Sequence, residues 1–173
     1  MGMKMNTTLN EIRDCLIEDP DSWNKLLNRL GKSAPDDDPL SFIKILDVLG
    51  IQDASWCLLV LPERAWNVME FKLRCARRVE MNERPRSKLL LDVVEKFING
   101  KCSAEELRKE RFIEYAGRTA DAAADGASAS ATAYSATLTA SAAAYSRGGF
   151  AASKEAAALE REYQARIFRE LFE

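Results

Sequence analysis

Apolar residues recur at steps of three and four through the first part of this 173-residue chain, and capping residues, glycines and prolines separate the runs. That spacing places the apolar side chains on one face of an α-helix. Thr8 and Glu11 form a capping box before the first run, and Gly50 and Gly100 follow later ones. The pattern predicts an all-α fold with about six helices over residues 1–101, in a chain long enough for one domain.

Pro39 and Asp53 indicate where two of these helices begin. Proline is favoured in the first turn of a helix, and aspartate is a strong N-cap residue. We therefore expect the third helix to run from Pro39 to Gly50 and the fourth helix to be capped by Asp53.

Residues 102–173 differ in composition, because alanine, serine and threonine dominate from Ala116 to Ala158 and proline is absent. Alanine is the best helix former, so this tract favours helix over disorder. We predict a helix from about Ala104 to Ser146, a break at Gly148–Gly149 and a last helix from Phe150. Together these form a long alanine-rich helical hairpin that packs on, or extends from, the core of the same single domain.

The composition argues against an enzyme and against a metal site. Histidine, the commonest general base near neutral pH and the commonest metal ligand, is absent. Cys15, Cys57, Cys75 and Cys102 form no CxxC pair, and no glycine-rich phosphate loop occurs. We therefore expect no catalytic residues, no cofactor and no bound metal.

The charge balance argues against nucleic acid as a partner. Twenty-five basic residues stand against 27 acidic ones, with a formal net charge of -2, so no basic field attracts a phosphate backbone.

No segment approaches the roughly 18 strongly apolar residues of a membrane span, and Met1–Asn10 lacks the apolar core of a signal peptide. We expect no membrane partner and a cytoplasmic location.

Two groups of residues resemble reactive sites but have simpler interpretations. Glu105, Glu106 and Glu110 form a carboxylate cluster, with Glu114 one turn further along, yet acidic residues near a helix N-terminus also stabilise the helix dipole. Cys75 lies among arginines that would favour a thiolate, yet its helical face is otherwise apolar. We favour the structural interpretation for both groups.

A run of arginines on and beside the fifth and sixth predicted helices is the best candidate recognition surface. Arginine is favoured at interfaces and binds carboxylates through two parallel hydrogen bonds. The acidic residues nearby, Glu70, Glu80 and Glu83, are too few to pair with all the arginines. The alternative is an ordinary solvated helix face. The candidate partner-binding residues are Arg74, Arg77, Arg78, Arg84, Arg86 and the aromatic Trp66.

A series of short segments also carries a family pattern. These segments are Asn10–Arg13, Trp23–Leu27, Leu30–Lys32, Asp37–Ser41, Asp53–Leu58, Leu73–Val79, Arg86–Ser87, Asp92–Glu95, Asn99–Gly100 and Glu105–Leu107. Together with the alanine-rich tract, they resemble the fifth immunity-protein-like family of bacterial toxin loci, a common variant of which occurs in phage and prophage genomes. The similarity covers nearly the whole chain.

The resemblance implies a helical protein that neutralises a toxin by binding it, and it brings no catalytic residues with it. Family members usually interrupt the alanine tract with arginine, aspartate and tryptophan. This chain uses serine, threonine and tyrosine there instead. The departure removes the basis for charged partner contacts within the tract.

Two functional hypotheses follow. The first is a non-catalytic phage or prophage protein that binds and blocks a bacterial toxin or defence effector. The second is an assembly protein that forms a homo-oligomer through its alanine-rich helices, with a close-packed seam at Ala120, Ala124, Ala127 and Ala131.

Overall fold

The computed structural model describes residues 6–15, 20–62, 65–79, 86–112 and 129–173. Within these ranges the chain is almost entirely helical, which confirms the all-α class. The exception is an antiparallel pair of two-residue strands, β1 (Asn6–Thr7) and β2 (Leu40–Ser41).

The helices of the described residues follow one another along the chain with short connections. They are α1 (Leu9–Cys15), α2 (Pro20–Leu30), α3 (Phe42–Leu49), α4 (Ile51–Trp56), a 3-10 turn (Cys57–Val60), α5 (Trp66–Val79), α6 (Arg86–Ile98), α7 (Ala104–Phe112) and α8 (Ala129–Phe172). Six of the described α-helices therefore precede residue 101, as the apolar spacing predicts.

Two helices begin with reciprocal capping boxes. Glu11 N donates to Thr8 Oγ1 at 3.1 Å, and Thr8 N donates to Glu11 Oε2 at 3.2 Å. At α7, Ser103 N donates to Glu106 Oε2 at 2.7 Å, and Glu106 N donates to Ser103 Oγ at 3.2 Å. These bonds satisfy amide groups that the first turn of a helix leaves without a partner.

Helix α3 begins at Phe42, so the predicted start at Pro39 is wrong. The residues between them pair with β1 in the short strand β2, which requires extended backbone. Ser41 then caps the helix, because its hydroxyl accepts a hydrogen bond from Lys44 N at 3.1 Å.

Helix α4 begins at Ile51 with Gly50 at its N-cap position, so the prediction of Asp53 as the cap is wrong. Asp53 lies in the first turn instead, where a negative charge still favours the helix dipole. Its carboxylate forms an ion pair with Lys25 of α2, which holds the two helices together at the surface.

Helix α8 is broken at Gly149, whose φ of 71° and ψ of -156° are not helical. The predicted break at Gly148–Gly149 is therefore confirmed. It divides α8 into a first arm, residues 129–148, and a second arm, residues 150–172. The predicted continuation of α7 towards the first arm falls on residues 113–128, outside the described part of the chain.

The two arms pack against each other in antiparallel orientation. Near the break, the hydroxyls of Ser141 and Ser153 are 2.7 Å apart. Far from the break, Gln164 Nε2 donates to Ala133 O at 3.0 Å and to Thr137 Oγ1 at 3.3 Å. Contacts at both ends of the arms define a helical hairpin.

The main core joins the early helices to both arms. Phe42 of α3, Phe71 of α5 and Phe168 of the second arm are each 0% exposed and belong to one apolar cluster. Ala133 and Ala136 of the first arm are buried in the same cluster. The hairpin therefore packs on the core and does not extend away from it.

A smaller apolar cluster joins α5 to α6 and α7. Leu73, Leu91 and Leu107 are buried in it. Helix α5 contributes to both clusters, so two packed faces hold it in place. The arginines near its carboxyl-terminal end are therefore carried by a rigid helix.

Candidate protein-interaction surface

Arg74 joins α5 to the second arm. Its Nε donates to Glu70 Oε1 at 2.9 Å, and its Nη1 donates to Glu170 Oε2 at 2.7 Å. Glu70 is one of the acidic residues that lie near the arginines in the sequence, whereas Glu170 is not. The fold supplies a carboxylate that lies far away in the sequence.

Arg77 joins α5 to α6 in a similar way. Its Nη2 donates to Asp92 Oδ1 at 2.5 Å and to Glu95 Oε2 at 2.9 Å. The hydrogen bond from Arg77, with a weaker contribution from Lys88, lowers the pKa of the Asp92 carboxyl. Both carboxylates come from α6 and are not among the acidic residues that lie nearest to Arg77 in the sequence.

The environment of Arg78 differs from that of Arg74 and Arg77. Its side chain is 53% exposed, and a carboxylate oxygen of Glu160, Oε2, lies 3.9 Å from its Nε. The guanidinium lies 5.2 Å from the ring centroid of Tyr163, and that of Arg166 lies 5.3 Å from the same ring. Two cations beside one aromatic ring form a favourable cation–π arrangement at the surface.

The other predicted residues are separate from this group. Trp66 begins α5 and is 50% exposed, at the opposite end of the helix from Arg78. Arg86 is the first residue of α6. Arg84 lies outside the described residues. Of the predicted arginines whose side chains the structure describes, Arg78 is therefore the one that lies exposed beside a half-buried aromatic ring.

Glu160 lies beneath Arg78 and is 3% exposed. Its Oε1 accepts a hydrogen bond from Gln164 Nε2 at 3.0 Å. Burial raises the pKa of the Glu160 carboxyl, while Gln164 and Arg78 oppose that shift less strongly. The buried carboxyl of Glu160 therefore lies on the inner side of the exposed Arg78 side chain.

A cleft of about 200 Å³ opens where the end of α5 meets the two arms near their break. Two cationic side chains and one carboxyl line it, together with small and aliphatic residues. The lining residues are Arg78, Val79, Ala140, Arg147, Ala156, Leu159 and Glu160. The volume suits one side chain of a partner, since small-molecule sites typically reach about 300 Å³ or more.

We call Arg78, Arg147, Tyr163 and Arg166 the basic face. Three of these residues were missed by the sequence analysis. The spacing of Leu159, Tyr163 and Arg166 places them on one helical side, which is a signal that periodicity can provide. Their position opposite Arg78 depends on how the second arm packs on α5, and no local pattern reports that.

The buried cysteines have unreactive thiols. Cys75 is 0% exposed, and burial raises the pKa of its thiol well above the ordinary value. Burial likewise raises the pKa of Cys57 to about 12. The core interpretation of Cys75 is confirmed, because a thiol of raised pKa is not a nucleophile at neutral pH. Cys15 differs, since it is exposed at the end of α1.

The carboxylate cluster at the start of α7 has structural partners. Glu106 caps the helix, and its hydrogen bonds from Ser103 lower the pKa of its carboxyl. Glu105 pairs with Lys109 at 3.0 Å, one turn along the helix. Both contacts support the interpretation of these residues as helix-stabilising charges.

The described ranges contain no group of three or more His, Cys, Asp or Glu side chains arranged to hold a metal ion. None of their helices is both long enough and apolar enough to cross a membrane.

Comparison with known proteins assigns no family to this chain. No protein-family model, no curated protein and no solved structure matches it. The resemblance to immunity proteins stays a prediction from the sequence.

Proposed function

We propose that this chain is a non-catalytic phage or prophage protein that neutralises a bacterial toxin or defence effector by direct binding, in an immunity or counter-defence role. The observation that carries the proposal is the basic face, where Arg78 and Arg166 flank the half-buried ring of Tyr163 on two packed helices. The sequence resemblance supports the class of partner.

The chemistry of the basic face suits an acidic protein surface. Among the described residues, no carboxylate lies within 4.0 Å of Arg166, and the one beside Arg78 lies at 3.9 Å. Arginines on a rigid helix lose less conformational freedom on docking than arginines on a loop. Both guanidinium groups are therefore placed to form paired hydrogen bonds with aspartate or glutamate of a partner.

The cleft beside Arg78 and Arg147 gives this surface a concave centre. Interfaces gain most of their affinity from a few side chains that insert into such depressions and lose their water. We expect an acidic side chain of the partner to enter the cleft between the two arginines. Trp66, at the far end of α5, is a second exposed anchor of a type enriched at interfaces.

The test is co-expression of this chain with individual toxins and defence effectors of candidate bacterial hosts, scored by restored growth or restored phage plaques. A neutralised effector is then purified, and its binding is measured by calorimetry. We expect the double variant Arg78→Glu, Arg166→Glu to lose about 2 kcal/mol or more of binding free energy, roughly 30-fold in Kd. Its thermal unfolding should stay close to that of the wild type, because exposed charges contribute little to stability.

Arg161→Glu is the matched control. Arg161 is exposed on the same arm but points about 200° away from Tyr163 around the helix. We expect it to bind with an affinity close to that of the wild type. If no effector is suppressed, the proposed function is wrong; if the double variant binds as tightly as Arg161→Glu, the basic face is not the interface.

A further inference from the structure

Glu160 places a buried carboxyl in the cleft where α5 meets the two arms. Its side chain is 3% exposed, and Arg78 and Arg147 line the same cleft. An ionised carboxylate at this position would repel the acidic side chain that the two arginines attract. The protonation state of Glu160 therefore determines how well the cleft binds such a side chain.

Gln164 fixes the orientation of the Glu160 carboxyl. Its Nε2 donates to Glu160 Oε1 at 3.0 Å and to Ala133 O at 3.0 Å. Turning the amide over would place its oxygen against the Ala133 carbonyl, so the amide presents only N–H to Glu160. The other carboxyl oxygen, Oε2, lies on the side of Arg78, 3.9 Å from Arg78 Nε, and accepts no hydrogen bond from the described residues.

Charged and titratable groups lie near Glu160 on α5 and on both arms. Arg78 and Cys75 belong to α5, Arg147 lines the cleft from the first arm, and Tyr163 belongs to the second arm. Burial raises the pKa of the Cys75 thiol and of the Tyr163 phenol, so both groups stay neutral below pH 8. Burial also raises the pKa of the Glu160 carboxyl and outweighs the opposing charge of Arg78.

A carboxylate that enters a cleft of about 200 Å³ lies close to Glu160. Two carboxyl groups in one enclosed site do not ionise together readily, because each negative charge raises the pKa of the other. One proton between them removes the repulsion and forms an O–H···O⁻ hydrogen bond, which is short and strong. Glu160 Oε2 is the oxygen placed to carry that proton, since Gln164 already occupies Oε1.

We propose that the cleft binds the carboxylate of a partner's acidic side chain through Arg78, Arg147 and a protonated Glu160. Glu160 Oε2–H donates to the incoming carboxylate, and the two guanidinium groups balance its charge. Where Glu160 is ionised in the free protein, the proton is taken up from solvent on binding. The inference rests on the proposed function, because that function supplies the acidic partner.

The composition of the chain makes this proton easy to observe. The sequence contains no histidine, so the side chain that ordinarily titrates between about pH 6 and pH 8 is absent. Ordinary carboxyls are ionised across that range, and lysine and arginine keep their charge. An α-amino group and an exposed thiol begin to titrate near pH 8, and the variant Glu160→Gln separates their effect from that of Glu160.

The test adds N-acetylaspartate amide, a single carboxylate with uncharged ends, to the full chain at constant ionic strength. The size of this probe predicts a dissociation constant on the order of 1–10 mM at about pH 6. Binding is followed by the NMR shifts of the Arg78 and Arg147 Nε–H groups. We expect the dissociation constant to increase about tenfold or more between pH 6 and pH 8, as the protonated fraction of Glu160 falls.

The same linkage acts in the opposite direction. If the probe binds protonated Glu160, a saturating concentration of the probe raises the pKa of the Glu160 carboxyl, which carbon-13 NMR measures directly. The neutral analogue N-acetylasparagine amide should leave that pKa and the arginine shifts unchanged.

Two variants separate the proton from other effects of pH. Glu160→Gln should bind the probe equally well at pH 6 and pH 8, because its amide stays neutral and still donates a hydrogen bond. Glu162→Gln is the matched control, since it changes an exposed carboxyl of the same arm and should keep the pH dependence of the wild type. Circular dichroism checks that both variants are folded.

Each possible failure has its own result. A probe that shifts neither arginine at about 100 mM and pH 6 overturns the carboxylate site. A dissociation constant that depends on pH as strongly in Glu160→Gln as in the wild type, or that changes less than about threefold in the wild type, overturns the role of the proton. The proposed function fails separately, when no effector is suppressed on co-expression, because the probe experiment needs no effector.

Discussion

At the scale of single residues, Glu160 is a buried carboxyl. Its side chain is 3% exposed, it accepts a hydrogen bond from Gln164, and Arg78 Nε lies 3.9 Å from its Oε2. Moving an ionised carboxylate out of water costs free energy unless it is fully compensated. Burial therefore raises the pKa of Glu160 above its ordinary value of 4.5.

Stability should decrease with rising pH because of Glu160. A carboxyl with a higher pKa in the folded chain than in the unfolded chain binds its proton more readily when folded. Below pH 4.5 the Glu160 carboxyl is protonated in both the folded and the unfolded chain, so the unfolding free energy keeps its full value. As the pH rises through the raised pKa, the unfolding free energy of the wild type falls, whereas Glu160→Gln cannot titrate. In urea unfolding from about pH 4 to pH 8, the unfolding free energy of Glu160→Gln should increase relative to that of the wild type as the pH rises.

Glu162→Gln is the control for this pH series. Glu162 is exposed on the same arm, so its replacement should change the unfolding free energy by less than about 0.5 kcal/mol at each pH. If the unfolding free energy of Glu160→Gln decreases relative to that of the wild type as the pH rises, ionised Glu160 stabilises the fold.

At the scale of elements, the break in α8 depends on two adjacent glycines for different reasons. Gly149 has φ 71° and ψ -156°, a backbone conformation that residues other than glycine essentially do not adopt. Gly148 has a different constraint, because a Cβ there would lie 2.8 Å from the Cβ of Ala152. One residue provides the backbone conformation and the other provides the space, and together they reverse the helix.

Gly149→Ala should destabilise the protein by about 1–3 kcal/mol, the cost of holding an alanine in that conformation. Ser146→Ala, three residues earlier on an exposed position, should change the unfolding free energy by less than about 0.5 kcal/mol. Denaturant unfolding monitored by circular dichroism compares the two. A Gly149→Ala variant as stable as Ser146→Ala would mean that this conformation is not required to join the arms.

At the scale of the whole molecule, the carboxyl-terminal end of the chain closes the core built by the early helices. The rings of Phe42 and Phe172 lie 5.7 Å apart between centroids, as do those of Phe71 and Phe168. Phe168 and Phe172 also contact each other at 4.6 Å. The second arm is therefore part of the core that α3 and α5 need.

Phe168→Ala should lower the unfolding free energy by about 3–5 kcal/mol, because it leaves a large cavity where α5 meets the second arm. Phe150→Ala removes the same side chain from a position that is 70% exposed, and should cost less than about 0.5 kcal/mol. Thermal unfolding measures both. If Phe168→Ala is as stable as Phe150→Ala, the second arm is not a structural part of the core.

The sequence by itself determined the features that depend on neighbours within about four residues. The Thr8–Glu11 and Ser103–Glu106 capping boxes and the break at Gly149 follow from local hydrogen bonds and local backbone limits, so their residue types announce them. Helical periodicity similarly reports which face of each element is apolar. It cannot report which element that face meets.

Tertiary structure alone decided which arginines remain exposed. Arg74 finds Glu170 and Arg77 finds Asp92 because helices distant in sequence pack side by side, and the short-range pattern of charges contains no record of those partners. The same packing buries Glu160 and brings Tyr163 to Arg78. A run of arginines can thus be recognised in the sequence. Which of them form ion pairs and which remain exposed depends on long-range packing, because packing sets the distances and the desolvation that decide each pairing.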